Sequence, residues 1–218
     1  MNRLTKVCIV ITVCLLLNFS STNQCYSETT KPKKYLKKEY RSLKGNIIVR
    51  HYGESLDDNS ADIWLYSAKN PSKKLLLYSY ERDADVLISP NEKWLVINYR
   101  YGSDVTDAIL FKKAKGLKYD EKKYLNTLAW RLFRKMHKQY EIPEFGHNYT
   151  EAVLWSSDSK SVMVEIYGHD DLSPKALEPW FCIYDVTTGK MSLDFNRVFN
   201  RDTYHPDGEA KGRELYLN

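Results

Sequence analysis

Beyond residue 27 the sequence contains one cysteine, Cys182; the other three, Cys8, Cys14 and Cys25, precede it. A disulfide framework over the body of the chain is thereby excluded, and the fold has to rest on its apolar core. Long apolar runs are scarce as well. The run 7–17 has eleven residues, short of the roughly 20 that a membrane-spanning helix needs. Glycine and proline number only 9 and 7, and no Gly/Ser-rich linker marks a domain boundary. Catalytic signatures are missing too: no HExxH pair, no G-x-S-x-G elbow, no Gly-rich phosphate loop and no dinucleotide fingerprint. His51, His137, His147, His169 and His205 are scattered. The acidic stretches "DDNSAD" and "GHDD" lack the oxygen ladder and the glycine of a calcium loop. On these grounds no catalytic residue, no metal set and no cofactor is expected.

The first residues read in another way. Arg3 and Lys6 precede the apolar run, and small and polar residues follow it. That order predicts a secretory signal peptide over 1–27, cleaved after Ser27. The alternatives are an uncleaved anchor and lipid modification at Cys25, where Gln24 stands in place of the small residue of a lipobox. Removing residues 1–27 from 218 leaves 191, enough for a substantial core. Taking Arg3 and Lys6 from the 33 basic residues leaves 31 against 28 acidic ones, a mature charge of about +3. That balance singles out no partner class, and an exported chain without a base-stacking motif is not expected to bind nucleic acid. The segment 28–44 is rich in lysine and reads as a basic, solvated lead-in to a single domain over 45–218.

From residue 45 the texture is β. Short runs rich in Val, Ile, Tyr and Trp, such as "NIIVRHY", "WLVINYRY" and "SVMVEIY", alternate with Asn, Asp, Gly, Ser and Pro. Cys182 sits in one of them, "WFCIYDV", and reads as a buried small hydrophobe. One segment departs from this texture. Leu125, Leu128, Ala129, Leu132, Phe133 and Met136 form a stripe at helical spacing, which predicts an amphipathic helix over about 120–140. Asp120 is its expected cap, and Pro143 stops it.

Three segments share an order: a turn with lysine, an apolar strand, Tyr-Gly, a polar loop and a second strand. Their pairs are Tyr52-Gly53, Tyr101-Gly102 and Tyr167-Gly168. Such recurrence predicts an array of similar sheet units. "ISPNEKWLVINY" and "WSSDSKSVMVEIY" resemble the "SPDGKxLAF" turn-and-strand of WD-repeat-like β-propellers, especially those of periplasmic and peptidase-associated bacterial proteins. Ser89, Pro90, Asn91, Lys93 and Trp94 carry the first match, and Ser157, Asp158 and Lys160 the second. Glu92 and Ser159 stand where the pattern has glycine. The resemblance implies a mostly β fold of three blade-like antiparallel units with one inserted helix. Closed propellers have about four to eight blades, so an incomplete propeller, a sandwich and a chain completed by a partner all remain open.

If the units stack, the loops after the three Tyr-Gly pairs gather on one acidic rim. That rim would hold Glu54, Asp57, Asp58, Asp62, Asp104, Asp107, His169, Asp170 and Asp171. Gly168 is expected in a turn with positive φ. His169, Asp170, Asp171, Asp104, Asp57 and Asp58 are the candidate binding residues. The functional expectation is an exported, periplasmic or secreted, non-enzymatic protein that acts by protein–protein contact, of the inhibitor or immunity kind, without stable membrane insertion. The alternative is a hydrolase or sugar-acting enzyme with His169 and a neighbouring aspartate as acid and base.

Overall fold

The computed structural model describes residues 34–138, 146–172, 174 and 176–196. The expected signal segment and Cys25 lie outside them. The described residues are mostly β, with one helix. Strands β1 (Tyr35–Arg41), β2 (Ile47–Gly53), β3 (Ala61–Ser67) and β4 (Asn70–Tyr80) form an antiparallel four-stranded sheet in sequence order. A second meander follows: β5 (Asp83–Ile88), β6 (Trp94–Arg100), β7 (Val105–Lys113) and β8 (Tyr119–Tyr124). After helix α1 (Asn126–Met136) comes a third: β9 (His147–Trp155), β10 (Ser161–His169), β11 (Ala176–Asp185) and β12 (Lys190–Ser192). The second and third join into one eight-stranded sheet through a short parallel contact, Val105 with Asn148 and Thr106 with Tyr149.

Alternation along β5, β6 and β7 explains how the layers pack. Leu95, Ile97, Ile109 and Phe111 point one way, onto Ile47, Val49, Ile63 and Leu65 of the first sheet. Val96, Ala108 and Leu110 point the other way, toward the helix and toward Trp155, Val164, Ile166 and Cys182 of the third meander. Period-2 side chains thus give the middle meander two buried faces. Cys182 is fully buried, and burial pushes its thiol up to about 12, so it packs as a small hydrophobe.

The same turn opens each meander. Ser42, Ser89 and Ser156 each accept, through the side-chain oxygen, the N–H five residues on, from Ile47, Trp94 and Ser161 at 3.1, 3.0 and 2.9 Å. The residue three places after each serine is left-handed: Gly45 (φ 72°), Glu92 (φ 58°) and Ser159 (φ 62°). A left-handed residue at this point closes a bulged hairpin and normally favours glycine. Glu92 and Ser159 occupy it because their side chains tie one meander to the next. The Glu92 carboxylate accepts from the Ser42 hydroxyl at 2.6 Å and from Asn46 at 3.2 and 3.3 Å. Ser159 Oγ accepts from the Asn91 N–H at 2.9 Å. The first copy, "SLKGN", keeps the glycine; it shares the lysine turn of the repeat, while the propeller-like signature is carried by the other two. Glu92→Ala should cost about 2 kcal/mol, since three donors lose a charged acceptor. Glu92→Gly loses the same acceptor but escapes about 1–2 kcal/mol of left-handed strain, so it should unfold at the higher urea concentration of the two. Equal midpoints would show that the turn is not strained.

Three expectations need correction. The helix starts at Asn126, so Asp120 caps nothing, and residues 119–124 form β8 on the edge of β7. Ala129, Trp130 and Phe133 are its buried residues, Leu128 and Leu132 pack at the margin of the core, and Met136 is half exposed. The described part of the basic lead-in is strand β1. Gly53 and Gly168 are buried strand residues outside the left-handed region. At Gly53 the requirement is space: a Cβ there would lie 2.2 Å from Lys37 Cε and 2.9 Å from the Ser60 carbonyl.

Candidate functional site: a cleft and an aromatic ladder

The site begins with two register shifts. On β1, Leu36 faces Tyr52 and Lys38 faces His51, which leaves Lys37 bulged. On β10 the ladder to β11 shifts across Tyr167. The extra residue lies on β1 in the first case and on β11, opposite Tyr167, in the second; Lys37 and Tyr167 both line one cleft of about 750 Å³. The loops after the three Tyr-Gly pairs each reach it, through Asp58 and Asn59, Ser103, and His169. Sequence reasoning placed these loops together, and they do meet.

The sign of the charge was not foreseen. Lys37, Lys38, Arg82 and Arg100 line the cleft against Asp58 and Asp83. Lys38 is paired with Asp83 and Asp85 at 3.5 and 3.0 Å, and Arg100 with Glu151 at 3.4 Å. Lys37 donates to the Ser60 carbonyl at 3.1 Å, and exposed Arg82 has no ion pair or hydrogen bond among the described residues. Asp57, Asp104, Asp170 and Asp171 do not line the cleft. Asp62 is held by Lys34 and Ser79, and Asp107 is buried in β7 with Asn126 as partner. Asp170 accepts the Leu172 N–H at 3.0 Å and so shapes its own turn. The cleft is therefore net basic, and of the six candidate residues Asp58 and His169 line it.

Tyr80, Tyr149 and Tyr167 form the aromatic part of the lining, and Leu56 is 68 % exposed at its edge. Burial pushes the Tyr80 hydroxyl up to about 12 and raises that of Tyr167 as well, so both are neutral hydrogen-bonding groups at ordinary pH. Tyr167 donates to Glu151 at 3.1 Å.

At the open end of β9 and β10, side chains two residues apart share a face. Tyr149 lies opposite Tyr167, and His147 opposite His169. The tyrosine rings stack at 4.7 Å and the imidazoles at 4.2 Å, 10° from parallel. Tyr149 donates to the Ser103 carbonyl at 2.7 Å, so its oxygen accepts from His147 Nδ1 at 3.0 Å. His147 Nε2 then donates to Asp171 Oδ2 at 2.8 Å. An imidazole that donates from both nitrogens is the cation, and the Asp171 hydrogen bond accordingly raises the His147 pKa above its ordinary 6.5. A raised folded value means a contribution to stability that is complete below about 6.5, while Asp171 is ionised, and lost as pH rises through the folded value. NMR titration should find His147 above 6.5 and Asp171→Asn should bring it down; an unmoved pKa would dissolve the pair. His147 and Tyr149 escaped sequence reasoning because they precede His169 by some twenty residues, in a strand that carries no motif.

No protein-family model matches the sequence, and no curated protein matches it. Among solved structures the chain is similar to TolB from Acinetobacter baumannii, with a TM-score of 0.38 and 13 % identity over 71 % of this chain. The match spans 31 % of the TolB chain. Among the described residues, no helix is long and apolar enough to cross a membrane.

Proposed function

We propose that this chain is an exported, non-enzymatic binding protein, built of three blade-like units, whose cleft receives an acidic segment of a protein partner. The observation that carries the proposal is the lining of the cleft. Arg82, without an ion pair among the described residues, Lys37, three tyrosines and an exposed leucine converge where three equivalent loops meet. Tyrosine and arginine are the side chains that interfaces favour, because they combine apolar area with directed hydrogen bonds. A cationic opening also steers an acidic partner toward it. The hydrolase alternative has weaker support, since Asp170 accepts the Leu172 N–H in its own turn and Asp171 accepts from His147 at 2.8 Å.

Affinity capture from envelope extract, with the chain without residues 1–27 as bait, tests the reading. A protein captured by this bait and not by the Arg82→Glu form supports it. Turnover of ester, peptide or glycan substrates by the purified chain would replace it with the enzymatic reading.

A further inference from the structure

His147 and His169 are the last facing pair of the β9–β10 ladder, so both imidazoles leave the sheet from one face at its open end. The turn after β10 folds Asp171 back over them. Its Oδ2 lies 2.8 Å from His147 Nε2, and its Oδ1 lies 3.5 Å from His169 Nε2. One ligand atom from each of the three residues can be chosen so that all lie within 4.8 Å of one another. In a tetrahedral site with bonds of about 2.0–2.1 Å, ligand atoms are separated by roughly 3.4 Å. The cluster therefore has to contract by about an ångström, and its outer members allow that. The side chains of His169 and Asp171 are 46 % and 68 % exposed.

We propose that His147, His169 and Asp171 form a binding site for a divalent transition-metal ion of the zinc class. Two imidazole nitrogens and one carboxylate suit such an ion and disfavour magnesium and calcium, which take oxygen ligands. The second observation is the support behind His147. Tyr149 holds a hydrogen on Nδ1 and is itself anchored on the Ser103 carbonyl. That contact leaves Nε2 as the ligand atom, the arrangement by which neighbours orient metal-bound histidines. The proton that His147 shares with Asp171 occupies the metal's place, so binding exchanges one for the other. The rings also have to leave their parallel stack, because stacked imidazoles aim their lone pairs side by side. His147 is pinned by Tyr149, so His169 is the ring that turns. His169 also lines the cleft, which puts the remaining coordination position beside it. The site stands on its own geometry, whatever the cleft binds.

The test is calorimetric titration of the chelator-treated chain with Zn²⁺ alone, in two buffers of different ionisation enthalpy, with Mg²⁺ as the comparison. One saturable Zn²⁺ site with proton release is expected, and no saturation by Mg²⁺. His169→Ala should weaken binding at least about tenfold, and Tyr149→Phe about tenfold, with unchanged circular dichroism. Co²⁺ in place of Zn²⁺ should give visible absorption of a low-coordinate site that His169→Ala abolishes. The absence of saturable Zn²⁺ binding, or equal affinity in the His169→Ala protein, would overturn the proposal.

Discussion

Trp155→Ala is expected to lower the unfolding free energy by about 3–5 kcal/mol, the usual range for removing a buried tryptophan. Trp155 is fully buried at the end of β9. It packs in the core shared by the second and third meanders, and its Nε1 donates to the Leu87 carbonyl at 3.2 Å. Leu87 belongs to β5, an edge strand of its sheet, so the indole ties the third meander to the edge strand of the second. Trp155→Phe should keep most of the packing and lose about 0.5–1.5 kcal/mol, the net worth of one hydrogen bond, since Leu87 also pairs with Val96 in the ladder. Urea unfolding at constant slope measures both. A loss below about 1 kcal/mol for the alanine form would show that the meanders do not depend on this contact.

The second large effect concerns the cleft. The double variant Lys37→Glu, Arg82→Glu should weaken partner binding at least about tenfold, with a larger deficit at low salt, where exposed charges are least screened. Arg82 is exposed and makes no ion pair among the described residues, and Lys37 holds one carbonyl, so the melting midpoint should hardly move. Replacing Asp57 and Asp104, exposed and outside the cleft lining, should change affinity little. The opposite ranking would return the binding role to the aspartates.

The strands were legible where short apolar runs are continuous, as in β6 and β10, because both faces of those strands are buried. Strands β1 and β8 were not. "YLKKEYR" and "YDEKKY" each pair on one side only, with β2 and β7. Edge strands carry charge, lysine above all, which discourages further pairing and erases the apolar signal. Asp120 looked like a helix cap for that reason, while pairing with β7 decided the matter. Trp130 was missed on the helix because the stripe was drawn through the leucines.

In the site, the gathering of the three loops was readable from the repeat. The charge of the cleft was not. Lys37 enters through a bulge in β1 and Arg82 from the turn between β4 and β5, so neither belongs to a repeated loop. The facing of His147 with His169 was equally hidden, since it depends on the register of β9 against β10. Glu92 and Ser159 show the converse: departures from glycine that weakened the pattern are the side chains that join the units.

The most direct measurement of the central claim is hydrogen–deuterium exchange on the chain alone and in complex with the captured partner. The account predicts protection in the loops at 54–60 and 101–104, and around Arg82. Protection confined to β11 and β12, with exchange at the cleft unchanged, would contradict it.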